Sequence, residues 1–414
     1  MANTLFLVTE MYPYGNGEPF LETEVKYFEE FDKVVIFPSF CGELEITRKL
    51  EINNVEIIRP TSDFFKNKFY SRIFYILLML TRRIFWIELY TITKKKKLNL
   101  KSIIHLLSFL SKGELTYKYA RKYIKSNDNF KDDKIIFYSY WMYYQAYACI
   151  LLSKDFKNSN AITRAHGFDI YEYRNNENYI PLREWILSKV DRIFTISSDG
   201  YKYLKSNYKH IDYNSEISRL GTKDMGTSVL TGNNKTYTVV SCSRIVEVKR
   251  VDKIVKSLAE IKDINIRWIH FGGGGNFEYI SQLSSNILPD NITFDLRGTV
   301  PNNDILNYYS KSNCHLFLNV SESEGIPVSI MEAISFGIPI IATNVGGVGE
   351  IVINKFNGFL IEKDFKESDL AALIRKVLKN KEIDYQQLRK NARRFWEENY
   401  NEKSNYTSFI RKIK

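Results

Sequence analysis

The sequence predicts an α/β protein built from two Rossmann-like halves, each with a parallel sheet. Three observations carry that expectation. Short apolar, β-rich runs recur along the chain with helix-length segments between them, the pattern of strand–helix–strand crossovers. A length of 414 residues is about two to three times the commonest domain size. Hydrophobic residues at 44% and charged residues at 26% form an ordinary globular balance, which excludes a disordered or low-complexity chain.

Taken in order, strands are expected at 4–8, 33–37, 55–58, 134–138, 161–164 and 192–196 in the first half. In the second half they are expected at 237–241, 264–270, 292–296, 314–319, 339–343 and 358–361. Residues 223–235 are polar, rich in Gly and Asn and without apolar periodicity. They are expected to link a first domain, 1–222, to a second, 236–390. The segment 385–414 reads as charged amphipathic helix, with 391–414 returning to the first domain. Between the third and fourth strands the alternation stops. Residues 64–125 carry no strand signal and read as two or three helices inserted into the first domain. Within them, 73–80 (IFYILLML) and 84–90 (IFWIELY) are strongly apolar, but Thr81, Arg82 and Arg83 divide them. A bilayer span takes about 20 uninterrupted apolar residues, so neither run is one.

The net charge is +11, and its distribution says more than its total. Residues 51–125 hold 16 Lys/Arg against 5 Asp/Glu, and the rest of the chain is balanced at 43 of each. A localised basic slice suits nucleic acid, anionic lipid headgroups or a phosphorylated substrate. On a continuous helical wheel Lys68, Arg72 and Arg83 share one stripe, among Phe74, Leu77, Leu80, Phe85 and Trp86. Arg82 and the run Lys94, Lys95, Lys96 and Lys97 add to it. The expectation is a docking element for an anionic membrane surface. No recognised nucleic-acid motif accompanies the charge, so a nucleic-acid partner is not expected.

Cys41, Cys149, Cys242 and Cys314 lie far apart with no CxxC pair, which argues against a disulfide scaffold or a thiolate zinc site and for a reducing cytosol. The N-terminus offers a four-residue apolar run, 5–8, before Glu10, too short for a signal-peptide core. The expected location is cytoplasmic, peripheral on the inner face of the plasma membrane.

The most specific signal is Glu324-Gly325-Ile326-Pro327-Val328-Ser329-Ile330-Met331-Glu332, which follows the apolar run HLFLNV. Pro327 suits the first turn of a helix, where its missing N–H costs nothing. Eight residues of helix rise about 12 Å. Glycosidase carboxylates flanking one bond sit about 5–9.5 Å apart. Glu324 and Glu332 therefore suit opposite ends of an extended ligand, with helix N–H groups between them for phosphate oxygens. Arg244 and Lys249 follow the first strand of the second half, and His166 follows a strand of the first, in Arg164-Ala165-His166-Gly167-Phe168-Asp169. Gly15-Asn16-Gly17-Glu18 follows the first strand. It is not a dinucleotide fingerprint, because Phe20 stands where the third glycine belongs. Gly272–Gly275 lacks the Gly-Lys-Ser/Thr of a P-loop. The other histidines are dispersed and no Asp-x-Asp is present, so no metal site is expected.

The segment from Glu324 to Glu332, continued by Phe336-Gly337-Ile338-Pro339 and Val345-Gly346-Gly347 to Glu350, resembles the donor-binding signature of family 4 retaining glycosyltransferases with the GT-B fold. The resemblance is dense over 236–362, good over 134–221 and patchy before that. It implies two Rossmann-like domains with parallel sheets facing a central cleft, 1–222 on the acceptor side, where Gly15-Asn16-Gly17-Glu18 resembles the family's acceptor-side loop, and 236–390 binding a nucleotide-sugar donor. It places Arg244 and Lys249 on the departing diphosphate, Glu332 on the ribose, and Glu324 and His166 on the donor sugar. Gly17, Gly325 and Val328 would line the donor. Arg250 departs from the family pattern, which has Gly there.

The resemblance thus implies a retaining transferase without metal or cofactor. It would move a sugar to a saccharide acceptor linked to polyprenyl diphosphate, as in surface-polysaccharide assembly. Two rivals stand beside it. A nucleotide-sugar epimerase would explain a nucleotide site but not the spaced glutamates. A non-catalytic module binding membrane or nucleic acid would explain only the basic slice.

Overall fold

A computed structural model describes residues 2–15, 17–40, 48, 50–58, 70–228, 235–379 and 383–414; for 70–74 and 129 it describes the backbone only. The chain forms two compact units, Met1–Leu220 with Tyr406–Lys414, and Gly221–Asn405.

Unit 1 holds β1 (Asn3–Thr9), β2 (Lys33–Pro38), β3 (Val55–Ile57), β4 (Lys134–Ser139), β5 (Ser159–Ala165), β6 (Arg192–Thr195) and β7 (Ser215–Ile217). All pair in parallel, in the order β3-β2-β1-β4-β5-β6-β7. Side chains alternate across β1. Leu5 and Leu7 enter one core cluster and Phe6 and Val8 the other, so both faces are buried. This double burial is why the strands read as unbroken apolar runs. β7 is not among the expected strands, because it is a half-buried edge strand of three residues, Ser-Glu-Ile, with no apolar run to mark it.

Unit 2 holds β8 (Thr236–Cys242), β9 (Asn265–Phe271), β10 (Ile292–Leu296), β11 (Cys314–Asn319), β12 (Ile340–Thr343) and β13 (Gly358–Ile361). They pair in parallel in the order β10-β9-β8-β11-β12-β13. Each sheet reverses direction beside its first strand, at β1/β4 and at β8/β11. In doubly wound sheets the crevice at the carboxyl ends of those strands is where ligands bind.

The helical insertion comprises α1 (Tyr70–Leu80), α2 (Arg83–Lys94) and α3 (Leu100–Lys125). Met79, Phe85, Ile92, Leu106, Phe109 and Leu110 bury into the core of unit 1. Arg82 is extended (φ −83°, ψ 128°), so the helix breaks between Leu80 and Arg83. This corrects the wheel that joined Arg72 to Arg83, because the angle between them is not carried across an extended residue. Lys68 lies outside the described residues, as do the side chains of Arg72 and Phe74.

Of the helices that follow, α4 (Tyr144–Asp155) packs in unit 1, while α5 (Val251–Ala259) and α6 (Val328–Ser335) belong to unit 2. The C-terminal segment forms two more, α7 (Tyr385–Asn399) and α8 (Glu402–Ile413). Of the expected linker, 229–234 lies outside the described residues. Its neighbours are held in unit 2. Trp396 Nε1 donates to Thr222 Oγ1 at 2.8 Å, and Arg389 donates to the Ser228 carbonyl and hydroxyl at 2.6 and 2.8 Å. In α8, Phe409, Ile410 and Ile413 join the unit 1 core. The fully buried Arg164 guanidinium lies 4.2 Å from the Phe409 ring centroid and 3.1 Å from Glu24, giving that end of the chain a charged anchor.

Candidate functional site

In unit 2 the site begins where β8 runs out at Cys242. Two glycines bring the next loop close: a side chain on Gly272 (φ 136°) would collide with the Ser243 carbonyl, and one on Gly274 (φ 157°) with that of Ile245. Ile245 N–H donates to the Gly273 carbonyl at 2.8 Å. The Gly272–Gly275 turn therefore positions the backbone around Arg244 and need not cradle phosphate itself. Arg244 is exposed and makes no ion pair among the described residues.

Arg250 adopts the left-handed conformation that glycine favours (φ 48°, ψ 41°). Its guanidinium donates to the carbonyls of Val320 (2.8 Å), Lys363 (2.8 Å) and Ser321 (3.3 Å). Glu322 N–H also donates to the Val248 carbonyl at 2.8 Å. The loop keeps a glycine-like turn, and the arginine ties it to the segment after β11. That segment carries Glu324, whose Oε1 accepts from Lys249 Nζ at 2.6 Å and from Asn319 Nδ2 at 3.3 Å.

Pro327 is extended (φ −74°, ψ 117°) and precedes α6, which begins at Val328. Helical rise therefore does not apply between Glu324 and Pro327, and the 12 Å expectation is withdrawn. Gly325 is held from outside the helix, its carbonyl accepting from Gly347 N–H at 3.0 Å. A side chain on Gly347 would come within 2.6 Å of that oxygen, so the two glycine motifs meet backbone to backbone.

The two glutamates differ in kind. Glu324 is paired with a cation. Glu332, buried on α6, has a neutral partner, accepting from Asn302 Nδ2 at 2.7 Å. Burial pushes its carboxyl up to about 7, with the Asn302 bond opposing the rise. Asn302 and Asn319 carried no signal in sequence, since each acts through a residue distant in the chain or through a loop of unknown shape.

In unit 1, His166 follows β5 and is 7% exposed, wedged between Tyr140 and Trp141 with ring centroids 4.5 Å from each. Neither ring nitrogen has a hydrogen-bond partner among the described residues. Its Nδ1 is 3.7 Å from Asp169, an electrostatic separation. Asp169 organises the loop instead, accepting backbone N–H bonds from His166 (2.7 Å), Gly167 (2.9 Å) and Met142 (3.0 Å). Burial opposes its charge, but His166 and these donors outweigh that and hold the carboxyl below its ordinary value.

Gly17 lies in the loop after β1, and Asn16 is outside the described residues. The loop is closed by Glu18, a residue given no role on sequence grounds. Glu18 (φ 53°) accepts from the backbone N–H groups of Glu10 (2.8 Å), Met11 (2.8 Å) and Tyr12 (2.7 Å), and from Trp141 Nε1 (2.8 Å). The chain's own carboxylate fills this nest of amides.

The expected membrane residues divide. Arg82 pairs with Glu114 at 3.2 Å, Lys95 with Glu184 at 2.7 Å, and Lys97 with Glu172 at 2.8 Å. Phe85 is buried. These are corrections: unit 1 uses them itself. Arg83, Lys94 and Lys96 are exposed without ion pairs among the described residues, beside exposed Leu77, Trp86, Ile87, Tyr90 and Leu100. Among the described residues no helix is long and apolar enough to cross a membrane.

Two doubly wound parallel sheets, with cations and carboxylates at the carboxyl ends of the strands in unit 2, define the GT-B fold of nucleotide-sugar-dependent transferases. Comparison bears out that class. Residues 228–395 match the model of the family described as glycosyl transferases group 1. The chain is 24% identical over 292 residues to an uncharacterized glycosyltransferase of Methanocaldococcus jannaschii, covering 70% of this chain and 77% of that one. It is 42% identical over 73 residues, 18% of each chain, to an Escherichia coli UDP-Gal:α-D-GlcNAc-diphosphoundecaprenol α-1,3-galactosyltransferase. Sucrose-phosphate synthase from Thermosynechococcus elongatus shares the fold at a TM-score of 0.71 and 15% identity, with 99% of this chain and 98% of that one covered. These comparisons support a transferase enzyme with the GT-B fold, and the match to the group 1 family lies within unit 2.

Proposed function

We propose that the protein is a retaining, metal-independent glycosyltransferase of surface-polysaccharide assembly. It moves a sugar from a nucleotide-diphosphate donor to a lipid-linked saccharide. The observation that carries this reading is the Lys249–Glu324 pair at the end of β11, next to a loop that presents Arg244 without an anionic partner. A departing diphosphate accumulates negative charge, and fixed cations stabilise that charge as it develops. Arg244 and Lys249 face the diphosphate, Glu332 accepts from the ribose hydroxyls, and Glu324 holds the donor sugar with Gly325 and Val328 alongside. His166 and Gly17, in unit 1, keep the donor roles that the sequence resemblance gives them.

In this mechanism the acceptor oxygen bonds to the anomeric carbon on the side from which the diphosphate leaves. The carbon–oxygen bond to the phosphate breaks with its electron pair, and a phosphate oxygen takes the acceptor proton. Positioning and electrostatics do the work, without a covalent enzyme intermediate. The lipid-linked acceptor has support in the Escherichia coli relative, a diphosphoundecaprenol-dependent galactosyltransferase by name. Support for docking at the inner membrane face comes from the exposed apolar side chains of α2 beside Arg83, Lys94 and Lys96.

A panel of UDP-, GDP- and ADP-sugars tests the reading, because a true donor raises the melting temperature by binding the folded state. The stabilising donor should then be hydrolysed slowly with retention at the anomeric carbon, in the presence of EDTA as in its absence. Isomerised sugar would instead support the epimerase, and inversion or full loss with EDTA would refute the mechanism. Flotation with anionic vesicles tests docking. Binding should fall with salt and when Lys94 and Lys96 become Gln; a protein that stays free of such vesicles has no membrane surface here.

A further inference from the structure

Unit 1 holds a second constellation, bordered by His166 but otherwise made of residues with no assigned donor role. At the end of β1, Glu10 is half-buried and its carboxylate has no hydrogen bond or ion pair among the described residues. Lys112 reaches the same rim from α3. Its ammonium lies over the rings of Phe40 (5.3 Å) and Tyr144 (5.4 Å) and has no carboxylate partner among the described residues. The two charges act on each other, and Glu10 acts on both Tyr143 and Tyr144. Half-buried charges without partners are costly to keep.

Beside them stands an aromatic shelf. The Trp141 indole N–H and the Glu10 backbone N–H donate to the same oxygen of Glu18, each at 2.8 Å, which fixes the ring next to Glu10. Phe168 is 38% exposed, 5.0 Å from the Trp141 ring and 5.5 Å from that of Tyr143. His166, more than nine-tenths buried, borders the shelf; its ring nitrogens have no hydrogen-bond partner among the described residues, and Nδ1 faces Asp169 at 3.7 Å. A pyranose ring has an apolar C–H face and a rim of hydroxyls. An aromatic surface bordered by a hydrogen-bond acceptor and a donor complements both.

We propose that Trp141 and Phe168, with Glu10 and Lys112, bind a neutral pyranose of the acceptor, so that α3 of the helical insertion takes part in choosing the acceptor. The pair is of opposite sign, so a charged sugar would meet repulsion from one member. The acceptor role of the bound sugar rests on the transferase reading above; the sugar site itself rests on unit 1 alone.

Three probes test the site by saturation-transfer NMR: methyl α-D-glucopyranoside, methyl α-D-galactopyranoside and methyl N-acetyl-α-D-glucosaminide. At least one should bind at millimolar concentration. Glu10→Gln and Lys112→Met should each weaken it about tenfold, the loss of one charged hydrogen bond, while leaving UDP affinity unchanged. Met keeps the apolar stem over the two rings, so a folding defect is not expected. Absence of binding by all three glycosides, or binding indifferent to both substitutions, overturns the proposal; so does tighter binding of methyl α-D-glucuronide than of its neutral counterpart. Glycoside binding without any nucleotide-sugar binding would count against the transferase reading and leave the site standing. Nucleotide-sugar turnover with glycoside binding indifferent to Glu10 and Lys112 would do the reverse.

Discussion

Replacing Glu332 with Gln should stabilise unit 2 at alkaline pH while weakening donor binding. The carboxyl is buried beside one neutral donor, and its folded pKa of about 7 stands above the ordinary 4.5. An acid whose pKa is raised by folding binds more protons folded than unfolded between those two values. Stability should therefore fall as pH rises from about 4.5 to about 7 and level off above that. A tenfold change in acidity corresponds to about 1.4 kcal/mol, so the charged carboxylate costs up to about 3 kcal/mol at pH 8. Gln keeps an oxygen for Asn302 and carries no charge, but its new N–H₂ needs an acceptor, which offsets about 1 kcal/mol of the gain. The expected net stabilisation is about 1–3 kcal/mol at pH 8 and close to zero at pH 5. Urea titration read by amide hydrogen exchange of β11 and α6 isolates unit 2 from openings elsewhere. The same variant should bind a nucleotide-diphosphate sugar about tenfold more weakly, since an amide is a poorer acceptor for ribose hydroxyls. A variant less stable than the parent at pH 8, or equally displaced at both pH values, would refute the electrostatic account.

Two further substitutions probe the loop after β8. Lys249→Ala removes the partner of Glu324 and a charge assigned to the diphosphate, so calorimetry should show a far larger loss for nucleoside diphosphate than for nucleoside; equal losses would remove Lys249 from the phosphate site. Arg250→Gly relieves a left-handed backbone worth about 1 kcal/mol but deletes three bonds to carbonyls. It should destabilise by about 1–3 kcal/mol and lower turnover, whereas unchanged melting and rate would mean the clamp does not position Lys249.

How far the molecule could be read from its residues depended on the range of the interaction concerned. Parallel strands buried on both faces must be apolar throughout, so twelve strands stood out as runs of sequence; the half-buried edge strand Ser215–Ile217 did not. Short motifs were legible for the same local reason. Gly347 must lack a side chain where it meets the Gly325 carbonyl, and Arg244, Lys249 and Glu324 stand shortly after strands. Tertiary structure alone decided which charges are engaged. Lys249 and Glu324 meet across 75 positions, and Lys97 meets Glu172 across a similar span, while Lys94 and Lys96 in the same run stay unpaired among the described residues. It also decided that Glu332 has a neutral neighbour and a raised pKa while Glu324 has a cation, and that Glu18 turns inward to fill a nest of amides. Spacing along a chain specifies neighbours only within a helix or a strand. Charge state and pairing are set by burial and by through-space partners, which come into being when distant segments pack.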